Sequence, residues 1–141
     1  MKSMGMDVNP ARRRVAITGL GLVTPVGNDV ASTWSSLLAA RSGAASIASF
    51  DASSFPVRIA AEVKGLSDDV VARAFGDRKL MKMANRAHRF ALVAAAQALD
   101  DAGIRPTEAT ATRWGCVVGT GMLGVTYAEL AEVQRDAAAQ G

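Results

Sequence analysis

The stretch WGCVVGTGMLGVTYAEL, residues 114–130, decides between two kinds of α/β fold. Its first five residues are apolar without alternation, as expected for a strand in a parallel sheet that is covered on both faces. Residues 127–130 have helical character, and Gly119, Gly121 and Gly124 before them fit the pattern G-x-G-x-x-G. The stretch therefore predicts a strand–turn–helix unit, with a dinucleotide or some other ligand at the turn.

A dinucleotide-binding fold makes further demands on the sequence. It places the glycine turn in the first β-α unit and an acidic residue on a second strand about 20 positions on. Here the residues after Gly124 have helical or loop character instead. A single G-x-G-x-x-G is a weak signal, so a nicotinamide-dependent oxidoreductase stays open as an alternative on this pattern alone.

Composition excludes several classes of function. Half of the 141 residues are apolar and 21% are charged, which is typical of one soluble globular domain. A net charge of +3 with 5% aromatic residues offers no stacking platform for nucleic acid. One cysteine and one histidine make a disulfide framework or metal site unexpected and favour a cytoplasmic protein without a cofactor. The most apolar stretch, 90–99, is too short to span a membrane.

The order of predicted elements is that of an α/β chain. After a flexible leader at 1–13, the pattern predicts strands at 14–19, 57–63 and 114–118. Helices are predicted from a cap at Asn28 or Asp29 to about residue 40, from Ser67 to about 75, and from somewhere between 78 and 84 to before Gly103. The long third helix is rich in alanine, which predicts close packing against a neighbouring element.

Several spaced motifs resemble those of the β-ketoacyl-acyl-carrier-protein synthases. They are RRVAITGLGLVTPVGNDVASTWSSLLAARSGAASIASFD at 13–51, FPVRIAAEVKG at 55–65, FALVAAAQALDDAG at 90–103 and RWGCVVGTGMLG at 113–124. The resemblance covers about residues 12–130 with the motifs in the family's order. Motifs that keep their order and spacing are more specific than the glycine turn alone.

The resemblance implies a thiolase-like fold, with residues 14–141 forming most of the first β-α half of the N-terminal synthase domain. It implies a type II 3-oxoacyl synthase, which extends an acyl thioester with malonyl-carrier protein and releases carbon dioxide, in fatty-acid or polyketide-like synthesis. Acyl carrier protein is the implied partner, acyl and malonyl thioesters are the implied substrates, and the complete enzyme would be a homodimer.

The resemblance also assigns roles to individual residues. Gly121 and Met122 match positions beside the acyl-chain pocket, where glycine lets substrate and backbone approach closely. The family's nucleophilic cysteine and two histidines match positions beyond residue 141, so no catalytic residue is expected here. Cys116 is predicted to be a buried, inert thiol in a strand, and His88 a half-exposed helix residue.

A line of cations is the remaining candidate site. Arg78, Lys82, Arg86 and Arg89 are spaced for one helical face, with Lys79 at its edge. The resemblance supports Arg78, Lys79 and Lys82 as a docking surface for the acidic carrier protein. The alternative is an ordinary solvated helix face, and the sequence leaves both open.

Three explanations account for the missing catalytic residues. The chain is part of a longer synthase, one chain of a split synthase, or a non-catalytic homologue that resembles a chain-length factor. In each case we expect the chain to need the remainder of the synthase or a complementary chain, because a parallel sheet must be covered on both faces.

Overall fold

The computed structural model describes residues 14–121, Glu129, Glu132 and Asp136, with the main chain but not the side chain of Arg78. The predicted leader at 1–13 and Met122 lie outside the described residues. In chain order the elements are α1 (Val30–Leu38), β1 (Ala44–Ser46), β2 (Ile59–Ala61), α2 (Asp68–Phe75), α3 (Arg78–Met83), α4 (Arg86–Ala102) and a 3₁₀ turn (Ala111–Arg113).

Helix α1 begins where the sequence predicts, at a side-chain cap. The Asp29 carboxylate accepts a hydrogen bond from the Ser32 N–H at 2.6 Å, which satisfies one of the free donors of the first turn. The helix ends at Leu38, and Ala40 then takes a left-handed backbone conformation with φ of 52°. This ends α1 two residues earlier than the sequence predicts.

The Asp29 cap should make stability depend on pH. The backbone N–H and then the hydroxyl of Ser32 hold the pKa of the Asp29 carboxyl below its ordinary value of 3.8. Its contribution is therefore present above pH 3.8 and is lost as the pH falls through the lowered pKa. We expect Asp29→Ala to cost about 1 kcal/mol at pH 7 by thermal unfolding.

Asp29→Asn is the matched control for that experiment. Its amide oxygen can still cap the helix, so it should retain most of the stability but lose the pH dependence. Equal unfolding temperatures for wild type and Asp29→Ala would show that the cap contributes nothing.

The turn at 24–27 is fastened to α1 by buried hydroxyls. The Thr24 N–H donates to the Gly27 carbonyl at 2.8 Å and closes the turn. Thr33 and Ser36, the two buried residues of α1, donate to the carbonyls of Gly27 and Val26 at 3.2 and 2.9 Å. The large apolar side chains of α1 face solvent instead: Trp34, Leu37 and Leu38 are exposed.

The sheet of the described residues is one antiparallel pair. Strand β2 confirms the strand predicted at 57–63, and it pairs with β1, which the sequence did not predict, with Ala45 opposite Ala60. The Glu62 carboxylate, just beyond β2, accepts hydrogen bonds from the N–H groups of Ala48 and Ser49. The predicted parallel strands do not pair within the described part of the chain.

Helices α2 and α4 enclose the small core. Ser67 caps α2, as predicted, by accepting from the Val70 N–H at 3.4 Å, and Gly76 ends it in a left-handed conformation. Helix α2 packs against both α3 and α4. Val71 of α2 and Val93 of α4 are each only 2% exposed.

The long helix predicted to begin between residues 78 and 84 begins only at Arg86, because residues 78–83 form a separate helix; its predicted end before Gly103 is confirmed. Ala84 has an extended backbone, with ψ of 120°, so α3 ends at Met83. The side-chain amide oxygen of Asn85 then accepts a hydrogen bond from the His88 N–H at 3.0 Å and begins α4. An asparagine side chain competes with the helical hydrogen bond at this point and separates the two helices.

The alanine-rich face of α4 packs against two glycines, which confirms the predicted close contact. A Cβ atom added to Gly21 would lie 1.9 Å from the Ala94 carbonyl oxygen, and one added to Gly19 would lie 2.1 Å from that of Ala98. Gln97 completes the contact by accepting from the Leu22 N–H at 3.1 Å and donating to the Asn28 carbonyl at 2.7 Å.

The predicted strands at 14–19 and 114–118 are not strands in this structure. Neither segment pairs with another described residue, and their apolar side chains face solvent. Val15 is 93% exposed and Val117 is 99% exposed. A strand needs a neighbour to satisfy its N–H and C=O groups, and the described residues supply none for these segments.

Candidate functional site

Helix α3 presents the cations that the sequence singles out. Asp77 begins the helix by accepting from the Lys79 N–H at 2.7 Å. Lys79 and Lys82 are exposed, and neither forms an ion pair with a carboxylate of the described residues. Arg78 lies on the same helix, but its side chain is outside the described part of the chain.

Arg86 and Arg89 do not extend this cationic surface, which corrects the predicted line of four. They belong to α4, beyond the break at Asn85. Arg86 donates to the Val63 carbonyl at 2.7 Å, and its guanidinium lies 5.5 Å from the centre of the Phe90 ring. Arg89 donates to the Ala84 carbonyl at 3.3 Å and pairs with Asp68 at 3.4 Å. Both arginines join α4 to neighbouring segments.

The glycine turn is open within the described residues. Gly119 and Gly121 are exposed, and a Cβ atom added to either would meet nothing within 4 Å. They differ in this from Gly19 and Gly21, which lie against helix backbone. Met122, the other predicted pocket residue, lies outside the described residues, so the predicted acyl-pocket role of the turn stays a prediction.

Cys116 is exposed, so the prediction of a buried thiol is wrong for this structure. The prediction depended on a paired strand at 114–118, and that segment has no neighbouring strand among the described residues. The apolar pattern predicts a buried strand, but burial requires a second layer that the sequence pattern does not itself supply.

His88 is exposed on α4. Among the residues that the structure describes, no three histidine, cysteine or acidic side chains lie close enough to hold a metal ion. His88 instead lines an apolar cleft. Within the same described residues, no helix is long and apolar enough to cross a membrane.

The pKa of the Glu62 carboxyl is held below its ordinary value mainly by hydrogen bonds. The Ser49 hydroxyl contributes most, followed by the Ala48 N–H, and the positive charge of Arg86 adds a smaller effect. This carboxylate fastens the connection after β1 to the end of β2. These hydrogen bonds explain its lowered pKa, and nothing around Glu62 among the described residues indicates an acid or base in catalysis.

The apolar cleft is the feature that sequence reasoning missed. It has a volume of about 290 Å³ and lies between the end of α2, helix α3 and the first turns of α4. Its lining residues are Phe75, Leu80, Met83, Ala84, His88 and Leu92. The only signal in the sequence was the spacing of Leu80 and Met83 by three residues, which places both on one side of a helix.

Comparison with known proteins identifies the family of this chain. Residues 12–140 match the family described as Beta-ketoacyl synthase, N-terminal domain. The chain is 42% identical over 118 residues to 3-oxoacyl-[acyl-carrier-protein] synthase 2 of Coxiella burnetii, and 39% identical over 121 residues to the protein of that name in Synechocystis. These alignments cover 84% and 86% of this chain, and 28% of each relative.

Proposed function

Because this chain belongs to the β-ketoacyl synthase N-terminal domain family, we propose that it forms the first part of a type II 3-oxoacyl-acyl-carrier-protein synthase. The reaction is the decarboxylative Claisen condensation of malonyl-carrier protein with an acyl thioester. The observation that carries the proposal is the match over residues 12–140, together with relatives named 3-oxoacyl-[acyl-carrier-protein] synthase 2. The family match also favours a synthase over a nicotinamide-dependent oxidoreductase.

The chemistry in this proposal comes from outside residues 1–141. The chain spans 28% of the length of the relatives it matches, and it contains one cysteine and one histidine. The nucleophilic cysteine and two histidines are supplied by the rest of the same polypeptide or by a complementary chain. A non-catalytic partner that resembles a chain-length factor is the alternative within the family, and it would lack the nucleophile altogether.

The role of this chain is to receive the carrier protein and to shape the acyl pocket. Arg78, Lys79 and Lys82 provide the docking surface on α3, and the exposure of both lysines supports this. Fixed positive charge accelerates the encounter with an acidic partner, and salt weakens the effect. Gly121 and Met122 line the acyl pocket.

The remainder of the synthase covers the apolar extended segments of this chain. Val15, Ile17, Val117 and Val118 are all exposed, and their backbones lack partners among the described residues. Neighbouring strands would cover the apolar side chains and would form hydrogen bonds with the backbone N–H and C=O groups. A cytoplasmic location and a homodimer of the complete enzyme belong to the same proposal.

A product assay tests the proposal. The complete protein that contains this chain is incubated with malonyl-carrier protein and an acyl-carrier protein, and the carrier-bound products are weighed by mass spectrometry. We expect a 3-oxoacyl product two carbons longer than the primer, with release of carbon dioxide, and no product from residues 1–141 alone. A folded complete protein that yields no such product would exclude catalysis and leave the non-catalytic alternative.

A separate titration tests the dinucleotide alternative. NADH is added to the protein while the fluorescence of Trp34 and Trp114 is followed. We expect no saturable change. Saturable quenching at micromolar NADH would support a dinucleotide site and contradict the assignment of the glycine turn to an acyl pocket.

Met122→Phe is expected to shorten the longest acyl primer that the synthase accepts. A larger side chain beside a close-packed pocket excludes long substrates before it unfolds the protein. The measurement is the activity of the complete enzyme across a series of primer lengths, with Met122→Leu as the control of nearly equal volume. An unchanged profile in Met122→Phe would show that this residue is not at the pocket.

A further inference from the structure

A pocket of about 400 Å³ lies between the connection after β2, the first turns of α2 and the first turns of α4. Its apolar walls are formed by Val63, Leu66, Val71 and Phe90. Two arginines of α4 also line it, and we call it the arginine pocket. Apolar walls with a few polar groups, at about this volume, are typical of small-molecule sites.

Arg86 is held in place in this pocket and still has donors to offer. Its guanidinium donates to the Val63 carbonyl at 2.7 Å through Nη2 and lies 5.5 Å from the centre of the Phe90 ring. Its Nε and Nη1 groups form no hydrogen bond with a described residue. No carboxylate of the described residues forms an ion pair with it, and Glu62 feels its charge only as a minor effect. Arg86 is therefore an oriented cation with N–H groups left for a ligand.

Arg89 differs because its charge is already partly offset. It donates to the Ala84 carbonyl at 3.3 Å and pairs with Asp68 at 3.4 Å. Asp68 is the one acidic residue that lines the arginine pocket. The described lining thus carries one net positive charge, and Arg86 supplies it.

We propose that the arginine pocket binds a small organic monocarboxylate, with its carboxylate on Arg86 and its apolar body against Leu66 and Phe90. A guanidinium matches a carboxylate in shape and charge, and the apolar walls favour an apolar body. One net positive charge suits a singly charged carboxylate better than a phosphate monoester, which carries more than one negative charge at neutral pH. The inference goes beyond the proposed function, because it depends only on the residues that line this pocket.

The test is isothermal titration calorimetry of the complete protein with butanoate at neutral pH. Butanamide is the control ligand, because it has nearly the same shape without the charge. We expect saturable binding of butanoate and no saturable binding of butanamide. Butyl phosphate should bind less tightly than butanoate.

Substitutions locate the binding in the arginine pocket. Arg86→Gln removes the charge but keeps an amide that can donate to the Val63 carbonyl, and it should weaken butanoate binding about tenfold or more. Arg86→Lys keeps the charge without the planar fork, so it should cause a smaller loss, and it serves as the second variant if Arg86→Gln does not fold. Arg73→Gln alters an exposed arginine of α2 that does not line this pocket, and it should bind like the wild type.

The melting temperature of each variant without ligand separates folding from binding. An absence of saturable butanoate binding to the wild type would overturn the proposal, and so would equal binding of butanamide. Unchanged affinity in folded Arg86→Gln, or in Arg86→Lys if only that variant folds, would show that butanoate binds elsewhere. Tighter binding of butyl phosphate would overturn the assignment of a carboxylate. The product assay for the synthase is independent, because a protein that condenses its substrates but does not bind butanoate would refute this inference alone.

Discussion

Gly21→Ala is expected to destabilise the protein by roughly 3 kcal/mol or more, enough to prevent folding of a marginal domain. The new Cβ atom would lie 1.9 Å from the Ala94 carbonyl oxygen and 2.8 Å from the Ala98 nitrogen. Both atoms belong to helix backbone, which cannot move aside as a flexible side chain can. The substitution must therefore separate the segment around Gly21 from α4 or displace the helix.

Gly115→Ala is the matched control for this prediction. A Cβ atom added there meets nothing within 4 Å of the described structure, and its φ is not in the left-handed region. The melting temperature and the soluble yield of both variants should be measured beside the wild type. A Gly21→Ala protein that melts like the wild type would show that Gly21 does not lie against α4.

Lys79→Glu with Lys82→Glu is expected to raise the KM for carrier-protein-bound substrates about tenfold or more at low salt, because reversed charges repel an acidic partner. The kcat should change much less, since neither lysine is proposed to touch the reacting atoms. Thioesters of pantetheine lack the acidic protein and should be used equally well by wild type and variant.

Lys64→Glu serves as the control for charge alone. Lys64 is exposed and belongs to the connection between β2 and α2 rather than to α3, so its reversal should leave both KM values nearly unchanged. An equal loss of activity with carrier-bound and pantetheine-bound substrates would point to misfolding. An unchanged KM in the double variant would exclude α3 as the docking surface.

The helix ends that depend on local side chains could be predicted from the sequence. Asp29 and Ser67 cap α1 and α2 as their residue types indicate, and Gly103 ends α4. The alanine-rich sequence of α4 also predicted its close packing against a neighbouring segment. The break at Asn85 was missed because α3 and α4 carry one continuous helical pattern, in which a single cap is easily overlooked.

Features that depend on distant partners could not be predicted in the same way. Strand β1 is Ala-Ala-Ser, without the branched residues that mark a strand, and it forms because β2 lies beside it. The apolar segment around Cys116 shows the opposite case. Its sequence pattern indicates a strand, but no strand pairs with it among the described residues. The cleft was missed because it is built from three helices whose packing the sequence does not state.

Mapping the acylated residue tests whether this chain receives substrates while another part of the synthase performs the chemistry. The complete protein is incubated with an acyl-carrier protein, and its peptides are examined by mass spectrometry. We expect the acyl thioester on a cysteine outside residues 1–141, with Cys116 unmodified despite its exposure and with the Cys116→Ser protein still acylated. An acyl group on Cys116, or loss of acylation in Cys116→Ser, would contradict it.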